Sequence, residues 1–134
     1  MTVSEETAGV VRLALEAFSR RDLAAALTIW SRDAEIDWSR SKGPLKGIYR
    51  GHRRLESFWR EFWSAFEEIE IEIHELTQID RRVVVCNTAH LRGRDGIEVT
   101  ATSTFLYTVE DGQLARLEMF QEQAEAVEAA HAAD

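Results

Sequence analysis

Cysteine is nearly absent from this 134-residue chain: Cys86 stands alone, so no internal disulfide can form. One proline and seven glycines are too few for a linker-like, collagen-like or low-complexity polymer. No apolar run approaches the roughly 18 residues that cross a bilayer, so no membrane insertion is expected. No charged-then-apolar leader opens the sequence and the lone thiol does not suit an oxidising compartment, which makes the cytoplasm the expected location. Positive charge is in deficit too, with 16 Lys+Arg against 24 Asp+Glu and a net charge of -8. A surface of that sign repels phosphate backbones and argues against nucleic acid as a partner.

What is present is the composition of a folded domain, 45% apolar and 30% charged. A chain of this length is one domain by size (1–134, core about 5–128) and removes about two-thirds of its unfolded surface from water. Val10, Val11, Ala14, Leu15 and Phe18 share one side of a helix that ends in the turn Arg20-Arg21-Asp22. Asp22 can cap a second helix carrying Leu23, Leu27 and Trp30 at i, i+4 and i+7. From Asp33 the period becomes two, with Ala34, Ile36 and Trp38 against Glu35, Asp37 and Ser39, which predicts a strand. Ser41 to Gly51, with Gly43-Pro44, Gly47 and Gly51, reads as a loop. A third helix over about His52–Phe66 presents Leu55, Phe58, Trp59, Phe62 and Phe66.

Four further strands follow: one through Ile69, Ile71 and Ile73, one over Val83–Leu91, one over Ile97–Val109 and one over Leu114–Gln121. The parity slip between Ile73 and Leu76 predicts a bulge. Helix propensity alone would make the Ala/Glu/Gln-rich end continuous, but Leu117 and Met119 alternate with Glu118, so a strand is expected before a terminal helix over Gln123–Ala133.

The run Val10 to Asp33 with its Arg-Arg-Asp-Leu turn, then Trp-Ser-Arg-Asp-Ala-Glu-Ile-Asp-Trp, and Gly47-Ile-Tyr-Arg-Gly before an aromatic helix, resemble the SnoaL-like proteins. These share a superfamily with the ketosteroid isomerases and nuclear transport factor 2. The resemblance implies an α+β fold, with three N-terminal helices packed on a curled, mainly antiparallel sheet that forms a cone-shaped pocket. The isomerases' base falls on Trp38, their helix-one tyrosine on Ala14 and their oxyanion acid on Ser103. The polyketide cyclases' acid/base aspartate falls on Gln121. An indole takes up no proton and an amide exchanges none at neutral pH, so the usual catalytic carboxylates are missing. No Asp-Arg-Asp set of the limonene epoxide hydrolase kind lies on inward strand positions.

Alternation on the third and fourth of these strands turns Val83, Val85, Asn87, Ala89 and Leu91 inward, together with Ile97, Val99, Ala101, Ser103, Phe105 and Tyr107. Asn87 is an amide among aliphatic neighbours; it either touches a ligand or bonds to Ser103, Gln121 or a trapped water. Trp38, Phe58, Trp59, Phe62 and Phe105 either cage a flat ring or fill the core, and Trp38 is the one expected to line the pocket. Tyr49 either gates the mouth or staples its loop to helix three. The expected ligand set is therefore Trp38, Tyr49, Phe58, Phe62, Asn87, Ser103, Phe105, Tyr107, Met119 and Gln121.

His52, His74, His90 and His131 show no metal-site spacing, so neither a metal nor another cofactor is expected. Asp37 and Glu118 face outward as solvated acids. The outer sheet face, bearing threonines, Cys86, His90 and Phe120, has no obvious covering helix, which suggests a homodimer. Two functions remain open. One is a cyclase- or isomerase-type pocket for a hydrophobic ketone-bearing or polycyclic metabolite. The other is a noncatalytic, dimeric ligand- or protein-binding module of the nuclear transport factor type.

Overall fold

The computed structural model describes residues 3–43 and 45–132, with residues 3–5 described by backbone alone. Pro44 and Ala133, placed above in a loop and in the terminal helix, lie outside the described residues. The elements run α1 (Val3–Arg20), α2 (Leu23–Ile29), β1 (Trp30–Asp37), β2 (Ile48–Arg50), α3 (His52–Ala65), β3 (Phe66–Ile79), β4 (Arg82–Gly93), β5 (Glu98–Glu110), β6 (Gln113–Phe120) and α4 (Gln123–Ala132). The six strands form one sheet in the order β2-β1-β6-β5-β4-β3. Only the β1–β6 pair is parallel, as a strand reached through helices and one reached through hairpins should be.

Local chemistry sets the boundaries. Arg21 takes a left-handed backbone at φ 59, and the Asp22 carboxylate accepts from Ala25 N at 3.1 Å, so the chain reverses and restarts as α2. Arg21 also spans to the end of α3, donating to the carbonyls of Trp63 (2.6 Å), Phe66 (2.5 Å) and Glu67 (3.0 Å). It thereby satisfies acceptors that the last helical turn leaves open. At Trp30 α2 passes straight into β1, so the strand begins three residues before the expected Asp33. Trp30 is buried by its neighbours there, which is why its spacing imitated a helical stripe.

The register shift between Ile73 and Glu75 is the expected bulge. It keeps Ile69, Ile71, Ile73 and Leu76 against the same core despite their change of parity.

Three expectations need correction. Residues 41–51 are not all loop, because Ile48–Arg50 pairs antiparallel with β1 as a three-residue edge strand hidden between glycines. Ile97 does not face inward: β5 begins only at Glu98, and Ile97 is left 62% exposed in the turn. The outer sheet face is not bare, because α4 docks Ala126 and Ala130 onto Val84, Leu106 and Phe120 to make a second core. Alanine lets the helix approach closely, and its small side chains give little periodic signal.

The main core lies on the other face, between the sheet and α1–α3, and contains Val11, Leu55, Ile36, Val83, Val85 and Leu114, all without exposure.

Candidate functional site

Between α1–α3 and the concave face of the sheet lies a hollow of about 1070 Å³. Its axis can be followed along the inward positions of β5. Val99 is 43% exposed, Ala101 is exposed and Ser103 half-buried, while Phe105 and Tyr107 fall to 7% and 3%. The open end is therefore the β4–β5 hairpin end of the sheet, and the closed end lies beneath Tyr107, Trp30 and Ala26. The taper follows from strand curl over a helix layer that covers only one end of the sheet.

The walls are mainly aromatic. Trp38 sits at the centre of one group, with ring centroids 5.3 Å from Phe58, 6.4 Å from Phe62 and 5.7 Å from Phe105. Nearer the floor, Trp30 lies 5.8 Å from Trp59 and 6.3 Å from Tyr107. These spacings are those of edge-to-face and tilted contacts, which hold rings rigid without filling the space between them. The helix contributes to both groups because Phe58, Trp59, Phe62 and Trp63 occupy adjacent positions on successive turns of α3.

Of the residues singled out above, Trp38, Phe58, Phe62 and Phe105 line the hollow, as do Ser103, Tyr107, Met119 and Gln121. Two do not. Tyr49 packs behind Phe58 at 4.8 Å and donates its hydroxyl to Leu45 O at 2.7 Å, which fits a staple of loop to helix rather than a gate. Asn87 is fully buried off the wall, with Nδ2 3.3 Å from both Val85 O and Ser103 O and its Oδ1 without a partner. Gln121 donates to Arg40 O at 2.7 Å and so ties the loop after β1 to the end of β6. Sequence reasoning missed Trp30 and Trp63 as wall residues. Trp30 looked like part of a helical stripe, and nothing in the spacing of α3 separated wall from core.

The chemistry of the wall is sparse in acids. Ala14, Trp38, Ser103 and Gln121, the four positions where the resemblance places catalytic groups, all stand on it, and none is ionisable. Glu61 is the one carboxylate on the lining among the described residues, and it is exposed near the mouth with Lys42 and Arg60. Burial pushes the Tyr107 phenol far above its ordinary pKa, so it remains a neutral hydroxyl.

The acids that matter structurally are on the opposite face, where Asp37 is 6% exposed rather than solvated. Asp37 Oδ1 accepts from Ser39 N at 3.0 Å and Ser39 Oγ at 2.5 Å, and Oδ2 lies 3.5 Å from Arg40 and 4.0 Å from Arg116. Burial by itself would raise its pKa. The Ser39 bonds and the two guanidinium groups outweigh that and hold the carboxyl below its usual range. Glu118 belongs to the same network, 3.7 Å from Arg116.

The histidines are also less scattered than their spacing suggested. His90 Nε2 is 3.0 Å and His74 Nδ1 3.8 Å from the Glu72 carboxylate, on the outer face. Among the described residues, no group of three or more His, Cys, Asp or Glu side chains is placed to hold a metal ion.

Residues 11–117 match the SnoaL-like domain model, which spans most of the chain. The protein belongs to the SnoaL-like family. No curated protein matches it. Among solved structures, this SnoaL-like chain is similar to an NTF2-like protein of unknown function from Burkholderia pseudomallei, with 25% identity over 98% of this chain and 100% of that one and a TM-score of 0.77. It is similar in fold to TerC co-crystallized with polyporic acid, with 20% identity over 95% and 99% of the two chains and a TM-score of 0.76. It also resembles Rv0760c of Mycobacterium tuberculosis in complex with estradiol-17beta-hemisuccinate, with 12% identity over 87% and 94% and a TM-score of 0.77. Two of these similar folds hold small molecules, and no described helix of the present chain is long and apolar enough to cross a membrane.

Proposed function

We propose that this SnoaL-like protein binds a small hydrophobic, ring-bearing molecule inside the cone and, if it transforms that molecule, does so by positioning and hydrogen bonding in the manner of a cyclase- or isomerase-type enzyme. The observation that carries the reading is the hollow itself, about 1070 Å³ and walled by aromatic rings. That is the size and character of a site for a drug-sized ligand. The ligands held by two similar folds support the same reading. A noncatalytic module of the nuclear transport factor type would be better served by a cone filled with its own side chains. On this reading the protein works in the cytoplasm as a homodimer, pairing through the part of the outer sheet face around Cys86 and His90 that α4 leaves open.

A thermal-shift screen of hydrophobic ring compounds against wild type and Ser103→Phe tests the pocket, because a ligand that binds only the folded state raises Tm. Ser103 lies mid-wall, so a phenyl ring there occupies ligand space. Wild type should gain several degrees with at least one compound and the variant should gain none. Equal shifts in both proteins would place binding elsewhere. Light scattering at micromolar concentration reads the dimer directly, since a mass near 15.3 kDa would refute it.

A further inference from the structure

The floor of the cone holds an imbalance of hydrogen-bonding groups. Trp30 and Trp59 are each 4% exposed and Tyr107 3%, and the three rings adjoin one another. Trp63, by contrast, gives its indole N–H to Phe18 O at 3.0 Å, as a buried indole ordinarily does. Neither the Trp30 nor the Trp59 indole nitrogen, nor the Tyr107 hydroxyl, bonds to any described residue. None of them is among the polar atoms sealed inside packed protein, where Asn87 Oδ1 is found. Three residues so deeply buried, all on the wall, have the hollow left to open into.

Indole N–H groups donate and cannot accept, and the phenol has a proton to give. An unmet donor in an apolar site costs about 1–3 kcal/mol, so three together mark a place prepared for an acceptor.

Resting on the reading of the cone as a ligand pocket, we propose that its floor is a carbonyl site: the ligand enters ring-first with a neutral acceptor oxygen, a ketone or quinone carbonyl, that takes hydrogen bonds from Tyr107 and from the indole of Trp30 or Trp59. A carbonyl oxygen has two lone pairs and no proton, which matches a floor whose indoles can only donate and whose phenol has a proton to give. An anionic end is disfavoured there. The cations of the lining, Lys42 and Arg60, are exposed near the mouth, and an unpaired buried carboxylate pays a heavy desolvation cost. The raised pKa of Tyr107 reflects the same dry surroundings.

Calorimetric titration of the full chain with fluorene, 9-fluorenone and fluorene-9-carboxylate separates this proposal from the one beneath it. These probes share one tricyclic skeleton and differ at one position. Fluorenone should bind about tenfold more tightly than fluorene, the value of one or two added hydrogen bonds, and the carboxylate more weakly than fluorenone. The infrared carbonyl band of bound fluorenone should fall below its position in hexane. Tyr107→Phe should weaken fluorenone about threefold to tenfold and raise the carbonyl band while leaving fluorene unchanged. Trp30→Phe and Trp59→Phe provide a second pair of variants, of which at least one should show the same selective weakening of fluorenone, read without dependence on the folding of Tyr107→Phe. Loss in neither overturns the indole's part in the site.

Equal binding of fluorene and fluorenone, or a carbonyl band where hexane puts it, overturns the carbonyl site and leaves the pocket standing. Tightest binding by the carboxylate overturns it in favour of an anion site. Failure of all three compounds to bind overturns both readings.

Discussion

The two faces of one sheet have been put to opposite uses. On the outer face side chains close on one another: Leu106, Val84 and Phe120 lie under Ala126 and Ala130, and the acids of β1 and β6 are bound into a network with Arg40 and Arg116. On the inner face, drawn from the intervening residues of the same strands, rings touch edge to face around about 1070 Å³ of open space, and the floor donors bond to no described residue. Since alternate residues of a strand answer to different neighbours, the outer set can pack beneath α4 while the inner set both builds the main core and, along the hollow, leaves wall positions open to a ligand. Packed positions such as Leu106 should therefore be sensitive in stability and wall positions such as Ser103 in binding.

Leu106→Ala tests the dense side most severely. Leu106 is 1% exposed, and truncation there should cost about 3 kcal/mol, within the usual range for a buried leucine, by urea denaturation with an unchanged m-value. A cost below that of the same change at Met119, on the hollow wall, would break the contrast.

Asp37→Asn comes next, at about 1 kcal/mol, because the amide keeps part of the Ser39 contact but loses the charge that Arg40 and Arg116 face. The folded-state pKa of Asp37 lies below its ordinary 3.8, so its contribution is complete above that value and disappears as pH falls through the lower one. The stability gap between wild type and variant should hold constant near neutrality and close in acid. A gap that widened in acid would reverse the assigned sign.

Ser103→Phe, on the hollow side, should change stability by less than about 1 kcal/mol, since the ring enters existing space instead of overpacking a core, while removing the ligand response. The smallest effect is expected at Glu72, an exposed carboxylate held below the ordinary glutamate range chiefly by its hydrogen bond from His90, with His74 adding to it. Its titration by NMR should show a lowered midpoint that returns toward 4.5 in His90→Ala, with Tm unmoved because exposed pairs contribute little.

How far the sequence reveals this contrast depends on which periodicity each element carries. The alternation through Ser103, Phe105 and Tyr107 named the inner face correctly by direction, and the slip between Ile73 and Leu76 marked the bulge, because both follow from the strand's period of two. Asn87 is buried and Tyr49 half-buried, yet both stand off the wall: parity gives Asn87 a direction and says nothing of the depth at which helices cover it, and the glycine-bounded stretch, read as loop, gives Tyr49 no parity at all. The charge network escaped notice for a related reason. Asp37 and Glu118 do face outward, but the parallel pairing Asp37↔Glu118 and Glu35↔Arg116 is a tertiary fact that joins residues about 80 apart in sequence. The docking of α4 and the unmet donors of Trp30 and Trp59 likewise depend on what surrounds a side chain.

All four tryptophans of the chain, Trp30, Trp38, Trp59 and Trp63, border the cone. Intrinsic ultraviolet emission therefore reports on that single compartment, with no distant indole to dilute the signal. The protein is in effect labelled at its own interior, and any occupant that excludes water or quenches a ring announces itself without an attached dye.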